Sequence, residues 1–347
     1  MAEEKRRAKR WKLLLNIVTI IALGGLIYLT RDEILSTISN LRNVNIYALF
    51  LIIPAQALSY YSIVHLYQYL LRVIGHRVNF KQLLSVSLEL NFINSVFPSG
   101  GVTGFSYFGI RMRRQGVSAG RATMVHVFRF ILLLVSFQVL LLVGLLFLAI
   151  DNKANNFVLL IAGSLVTLLV IGTIGLAFII GSKKRINSFF TYITKIINKI
   201  ISVVRPKHPE TINVEKVQKL FSELHDSYQI VKKDPKLLKR PFAFSLLSNA
   251  AEILTVYVVF LAFGLMVNPG AVILAYAVAN FAGLISVLPG GVGIYEALMT
   301  GVLASAGIPA GESIPVIIMY RILNMSLQLP VGYYLYHRSL AQDHIKI

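Results

Sequence analysis

Hydrophobic residues run along the chain in long blocks divided by short polar or basic stretches. Apolar runs lie near 12–29, 47–71, 82–98, 103–110, 122–150, 157–181, 242–264, 271–288, 294–306 and 314–336. Crossing the hydrocarbon core of a bilayer as a helix takes ~20 apolar residues. Six of the runs are long enough to do so alone. Those at 82–98, 103–110, 271–288 and 294–306 are short or broken by Pro and Gly. The pattern predicts an all-α polytopic membrane protein with about six transmembrane helices and two re-entrant helical hairpins, 82–115 and 271–306. The first run is too long for a signal-peptide core and precedes no small-residue cleavage site, so it predicts a retained first helix.

Composition sharpens this reading. Hydrophobic residues make up 56% of the 347 positions and charged residues 14%, against roughly 25% charged in soluble domains. Disorder, a secreted disulfide scaffold and an ordinary cytosolic enzyme are excluded. The absence of cysteine removes disulfides, thiolate catalysis and Cys-ligated metals.

The 34 Lys and Arg against 15 Asp and Glu give a formal charge of +19. With the N-terminus inside and the short pairs returning to the side they entered, 29 of the basic residues fall on the inner side. Arg31, Arg42 and Lys153 fall outside, and Arg129 and Arg321 lie within spans. Positive charge collects on the cytoplasmic side of membrane proteins. Both termini are therefore expected inside the cell membrane, and the charge is absorbed by topology rather than by nucleic acid. The chain divides into a first membrane half, 1–181, a basic cytoplasmic or interfacial segment, 182–241, and a second half, 242–347. Within the middle segment, 186–204 has the spacing of an amphipathic helix on the inner leaflet, and 213–233 that of a more polar helix.

Two stretches of the chain resemble each other. Asn91-Phe92, Pro98, Gly100-Gly101-Val102, Gly116-x-x-Ala119-Gly120 and Phe128-Arg129 recur in order as Asn280-Phe281, Pro289, Gly290-Gly291-Val292, Gly307-x-x-Ala310-Gly311 and Tyr320-Arg321. The loop around Gly116 carries Arg111, Arg113, Arg114 and Arg121, whereas that around Gly307 has no Lys or Arg and includes Glu312. The two copies are therefore expected to enter the membrane from opposite sides. Inverted repeats with paired, Gly/Pro-interrupted short segments point to an alternating-access transporter whose site lies at the repeat interface near mid-membrane.

That interface offers specific chemistry. Proline and glycine at each break predict a second short helix starting near Thr103-Gly104 or Gly293, and free N–H groups at a helix N-terminus suit an anion. Close helix packing by small residues is the structural alternative. An arginine at the centre of a span costs ~2.5–3.5 kcal/mol even on the lenient insertion scale, so Arg129 and Arg321 need partners. The acids at membrane depth are Glu89, Glu252 and Glu296. They serve either to lock the arginines or, if the arginines hold a lipid phosphate, to balance charge, bind a headgroup amine or carry protons. Asn91, Asn94, Asn280 and Tyr295 complete the candidate substrate-binding set, with Gly100, Gly101, Gly290 and Gly291 in the turns. No metal spacing, nucleotide loop or catalytic motif is present, so neither a cofactor nor enzyme activity is expected.

At these residues the chain resembles a known family. Leu288-Pro-Gly-Gly-Val-Gly-Ile-Tyr-Glu-Ala297, with Gly307 and Tyr320-Arg321, is similar to the second signature of the lysylphosphatidylglycerol synthase/flippase transmembrane family, which includes the membrane half of the multiple peptide resistance factor. Asn91 to Gly116 resembles its first signature, and the similarity covers roughly residues 10–340. Family members often carry an acid and an arginine where Val102-Thr103-Gly104-Phe105 stands here. The resemblance implies translocation of a phosphate-headed phospholipid such as aminoacylated phosphatidylglycerol, with a polyprenyl phosphate as another substrate of that chemistry. The bifunctional members attach a soluble synthase domain after the membrane half. The end of this chain at Ile347 leads to the expectation that a separate lipid-modifying enzyme supplies the substrate. The alternative is a non-transporting scaffold or lipid-sensing regulator acting through 182–241.

Overall fold

The computed structural model describes residues 31–97, 102–152, 155–185, 225–285 and 291–342, with isolated positions between 21 and 28 and at 188. The first apolar run and most of 182–224, including the expected amphipathic helix, lie outside the described residues. Among the described residues every regular element is helical, so the chain is an all-α membrane protein. Among the described residues, five helices are long and apolar enough to cross a bilayer, at Ile46–Val73, Ala119–Ile150, Asn156–Ile180, Pro235–Ala262 and Ala310–Ala341.

In chain order the main helices are α1 (Arg31–Asn40), α2 (Ile52–Val73), α3 (Phe80–Val96), α4 (Val102–Arg113), α5 (Ala119–Ile150), α6 (Asn156–Ile180), α7 (Lys239–Ala262), α8 (Pro269–Ile285), α9 (Ile294–Ser305) and α10 (Ala310–Gln342). Polar caps mark several starts. The Ser118 hydroxyl accepts the Arg121 N–H at the head of α5, and Asn155 accepts the Val158 N–H at 2.9 Å at the head of α6. At 12 residues each, α4 and α9 are ~18 Å long at 1.5 Å per residue. That is too short to cross, in agreement with the expected half-helices.

The helices fall into two runs of four. α2, α3, α4 and α5 contain 22, 17, 12 and 32 residues, and α7, α8, α9 and α10 contain 24, 17, 12 and 33. Equivalent turns share their closure. After α4 the Val117 N–H reaches back to Met112 O at 3.1 Å, and after α9 the Ile308 N–H reaches Leu303 O at 2.9 Å. Each turn passes through a glycine of positive φ, Gly116 at 75° and Gly307 at 86°, the backbone that glycine adopts without strain.

Packing exchanges partners between the runs. α3 lies against α10 of the other half, and α8 lies against α5. α2 and α7 run antiparallel along their length. Ser59 and Gln56 meet Glu252, Asn45 N–H donates to Ala262 O, and at the other end Arg240 lies over the Tyr69 ring. Residue numbers thus rise along α2 as they fall along α7. α5 and α8 are antiparallel too, with Phe137 against Phe281 and Asn268 bonded to Asp151. From the segment 225–233, Asp226 pairs with Lys183 at 2.9 Å and His225 approaches Ile180 O. The start of α7 is thereby tied to the end of α6.

Candidate functional site

A seam of polar side chains runs through the apolar bundle where the two halves meet. Four helices supply it, α2 and α3 from the first half and α7 and α10 from the second. Gln328 Nε2 donates to Gln56 Oε1 at 2.8 Å, and Gln328 also bonds Asn324 and Asn91. Asn91 donates to the Tyr60 hydroxyl at 2.8 Å. Gln56 Nε2 lies 3.3 Å from both Glu252 Oε2 and Thr255 Oγ1, and the Ser59 hydroxyl donates to Glu252 Oε1 at 2.6 Å. The pairs that join the two halves link residues close to 200 or more positions apart, so the seam exists only in the folded bundle. Toward α8 and α9 it meets Tyr276, Tyr295, Tyr320 and Asn280, which lie within interaction range of one another.

The two span arginines have different surroundings. Arg321 is buried and forms an ion pair with Glu296. The Glu296 carboxylate also accepts the Gly293 N–H at 2.6 Å, so it sits on the N-terminus of α9. The Tyr295 ring lies 5.2 Å from the Arg321 guanidinium, and Glu33 of α1, half-buried, is within electrostatic reach. In the second half the meeting of arginine and half-helix N-terminus is thus already filled by an anion of the chain's own. Gly293 takes φ 84° and Gly291 φ 66° to make the turn that brings Glu296 there.

Arg129 stands in the equivalent place without an acid. Its guanidinium lies 5.4 Å from the Tyr67 ring, its Nε is buried without a hydrogen bond, and no Asp or Glu among the described residues pairs with it. One turn earlier on α5, His126 packs against Phe105 and Phe108 of α4. Since α4 and α5 are joined by the tight Gly116 turn and run in opposite directions, Arg129 is level with the first turn of α4. That turn contains no acidic residue. Three residues after Gly104, where Glu296 follows Gly293, stands Tyr107.

The acids resolve the expectation about arginine partners unevenly. Glu296 pairs with Arg321. Glu89, fully buried, pairs instead with Arg111 at the end of α4, with Nε–Oε2 at 2.8 Å, and accepts from Ser85 and Tyr107. Glu252 meets neutral donors only, and among the described residues no Lys, Arg or His is within ion-pair distance of it.

Of the remaining expected residues, Asn91 and Asn280 belong to the seam. Asn94 is exposed beside Gly104, where a Cβ would collide with its side chain, and Thr103 lies in the first turn of α4. Gly100, Gly101 and Gly290 lie outside the described residues. Sequence reading missed Gln56, Ser59, Tyr60, Tyr107 and Arg111. A signal existed for the first three, because Gln56, Ser59 and Tyr60 recur at helical spacing in an otherwise apolar run. Arg111 offered none, because its cytoplasmic count gave no reason to bring it back to a buried acid.

The fold and the interior polar seam define a multi-pass α-helical membrane protein. Residues 10–332 match the model of the family described as the lysylphosphatidylglycerol synthase TM region, and the chain belongs to that family. Over 91 residues it is 36% identical to a UPF0104 membrane protein of Methanothermobacter thermautotrophicus, a match that spans 26% of this chain and 27% of that protein.

Proposed function

We propose that the protein is a flippase-like transporter that moves a phosphate-headed lipid across the cell membrane, its two halves acting as an inverted repeat and both termini on the cytoplasmic side. One observation supports the reading above the others. Arg321 and the α9 N-terminus share the carboxylate of Glu296, while Arg129, level with the first turn of α4, has no such anion among the described residues. The second half is a worked example of how this scaffold binds an oxyanion, and in the first half the lipid phosphate takes that place. A guanidinium and helix N–H groups match phosphate oxygens in charge and geometry. The antiparallel course of α2 and α7 and the exchange of α3 and α8 between halves favour two oppositely inserted units rocking about the seam. Acyl chains stay in the bilayer while the headgroup passes along Gln56, Asn91, Asn280 and Gln328.

The reading has a direct test. The purified chain is reconstituted into vesicles with nitrobenzoxadiazole-labelled phosphatidylglycerol, and dithionite reports the lipid reaching the outer leaflet. Exchange faster than in protein-free vesicles, and abolished in Arg129→Gln, is the expected result. Exchange at the protein-free rate with labelled phosphatidylglycerol, aminoacylated phosphatidylglycerol and a polyprenyl phosphate alike would rule it out.

A further inference from the structure

Glu252 is the acid in the bundle that arginine does not explain. It lies on α7, partly buried, at the polar seam where the two halves meet. Its oxygens meet the Ser59 hydroxyl at 2.6 Å and the Gln56 amide at 3.3 Å, both neutral.

Among the described residues, the ionisable groups facing it from the helices around α7 are tyrosines: Tyr60 on α2, Tyr276 on α8, Tyr295 on α9 and Tyr320 on α10. From α5 the contacts with α7 are Ser136 and the Leu133 carbonyl, bonded to Asn249. A carboxylate held among neutral groups away from water is costly unless a positive charge or a proton neutralises it. Gln56 presents its N–H to Glu252 and turns its carbonyl to Gln328. Sodium needs several oxygens converging on one point, and here the amide nearest the carboxylate offers a donor instead. A proton is the cation that fits.

We infer that Glu252 is a proton-binding site that couples lipid movement to the transmembrane proton gradient. This rests on the flippase reading and assigns its energy source. Protonated, Glu252 carries no charge through the closed bundle. When the seam opens to the opposite side, water reaches the carboxyl, the proton leaves to bulk, and the carboxylate returns to the hydrogen bonds from Ser59 and Gln56. One proton is bound and one released per cycle, with no covalent bond of the lipid changed. The seam to Asn91 and Gln328 links this event to α3 and α10, the helices exchanged between halves.

Two measurements on the full chain in vesicles separate this inference from the transport reading. Infrared difference spectra across roughly pH 5 to 9 are expected to show a protonated carboxyl band that titrates, that Glu252→Gln removes and that Glu252→Asp shifts. A spectrum without such a band, or one equally present in Glu252→Gln, overturns the inference whether or not lipid moves. In the second measurement a gradient of one pH unit is imposed on vesicles carrying labelled phosphatidylglycerol. One proton per lipid gives a steady leaflet bias of about tenfold per pH unit in the wild type, and none in Glu252→Gln. Equal leaflets in the wild type, or the same bias from a sodium gradient alone, overturn it as well. If labelled lipid fails to move at all, the transport reading falls while the infrared result still decides the proton site.

Discussion

Glu296 binds Arg321 and the backbone N–H of Gly293 with the same carboxylate, joining the middle of α10 to the first turn of α9. Both residues are largely enclosed, so breaking the pair from one side strands a charge. Glu296→Gln is expected to cost about 3–5 kcal/mol of stability, and Arg321→Met alone a similar amount. The double variant should recover most of that loss, because no buried charge remains. Thermal unfolding in detergent micelles reads all three, and strictly additive losses would show that the pair does not act as one unit.

Arg129 should behave in the opposite way. It has no acid to leave behind, so Arg129→Gln removes a half-buried charge with little effect on unfolding, within about 1 kcal/mol. Labelled-lipid exchange should nevertheless fall to the protein-free rate. Arg129→Lys keeps the charge but loses the planar fork that grips two phosphate oxygens, and an intermediate rate is expected. If Arg129→Gln unfolds as early as Glu296→Gln does and retains exchange, Arg129 is a structural residue.

Close approach between the halves gives a third expectation. A Cβ on Gly332 of α10 would lie 2.6 Å from Phe92 Cβ and 2.7 Å from the Leu88 carbonyl oxygen of α3. On α8, a Cβ on Gly270 would strike the Gly144 carbonyl of α5. Backbone cannot swing aside as a side chain can, so Gly332→Ala and Gly270→Ala should each destabilise by about 1–3 kcal/mol. Gly104→Ala meets the movable end of Asn94 and should cost less in the same unfolding assay.

The helices were legible because membrane crossing imposes length and hydropathy on the sequence, and the half-helices because Pro98 and Pro289 stand beside glycines. The helix start at Ile294 falls within a residue of the expected Gly293. The partners of the acids were less legible. Glu89, Glu252 and Glu296 look alike as isolated acids in apolar runs, yet one meets an arginine from the end of α4, one meets neutral donors and one caps a helix. Those choices depend on which faces α3, α7 and α9 turn to their neighbours, and periodicity fixes a face without naming what lies opposite. The capping role of Glu296 could have been read, since an acid three residues after Gly293 matches the N3 position of a helix N-terminus.

Orientation is open to a test that the sequence makes simple, because the chain contains no cysteine to be removed first. Gln115 and Pro309 are both exposed, beside the equivalent turns at Gly116 and Gly307. Neither makes a side-chain hydrogen bond among the described residues, so Gln115→Cys and Pro309→Cys should fold. If the halves are oppositely inserted, a membrane-impermeant maleimide added to intact cells labels Cys at 309 and leaves that at 115 untouched, and inside-out vesicles reverse the result. Charge favours opposite insertion, since four arginines surround the first turn and none the second, and each arginine held on the wrong side opposes the bias that sets topology. Labelling of both positions from the same side would mean that the two runs of helices enter the membrane in parallel. The reading of Arg129 and Arg321 as equivalent positions of an inverted repeat would then fall.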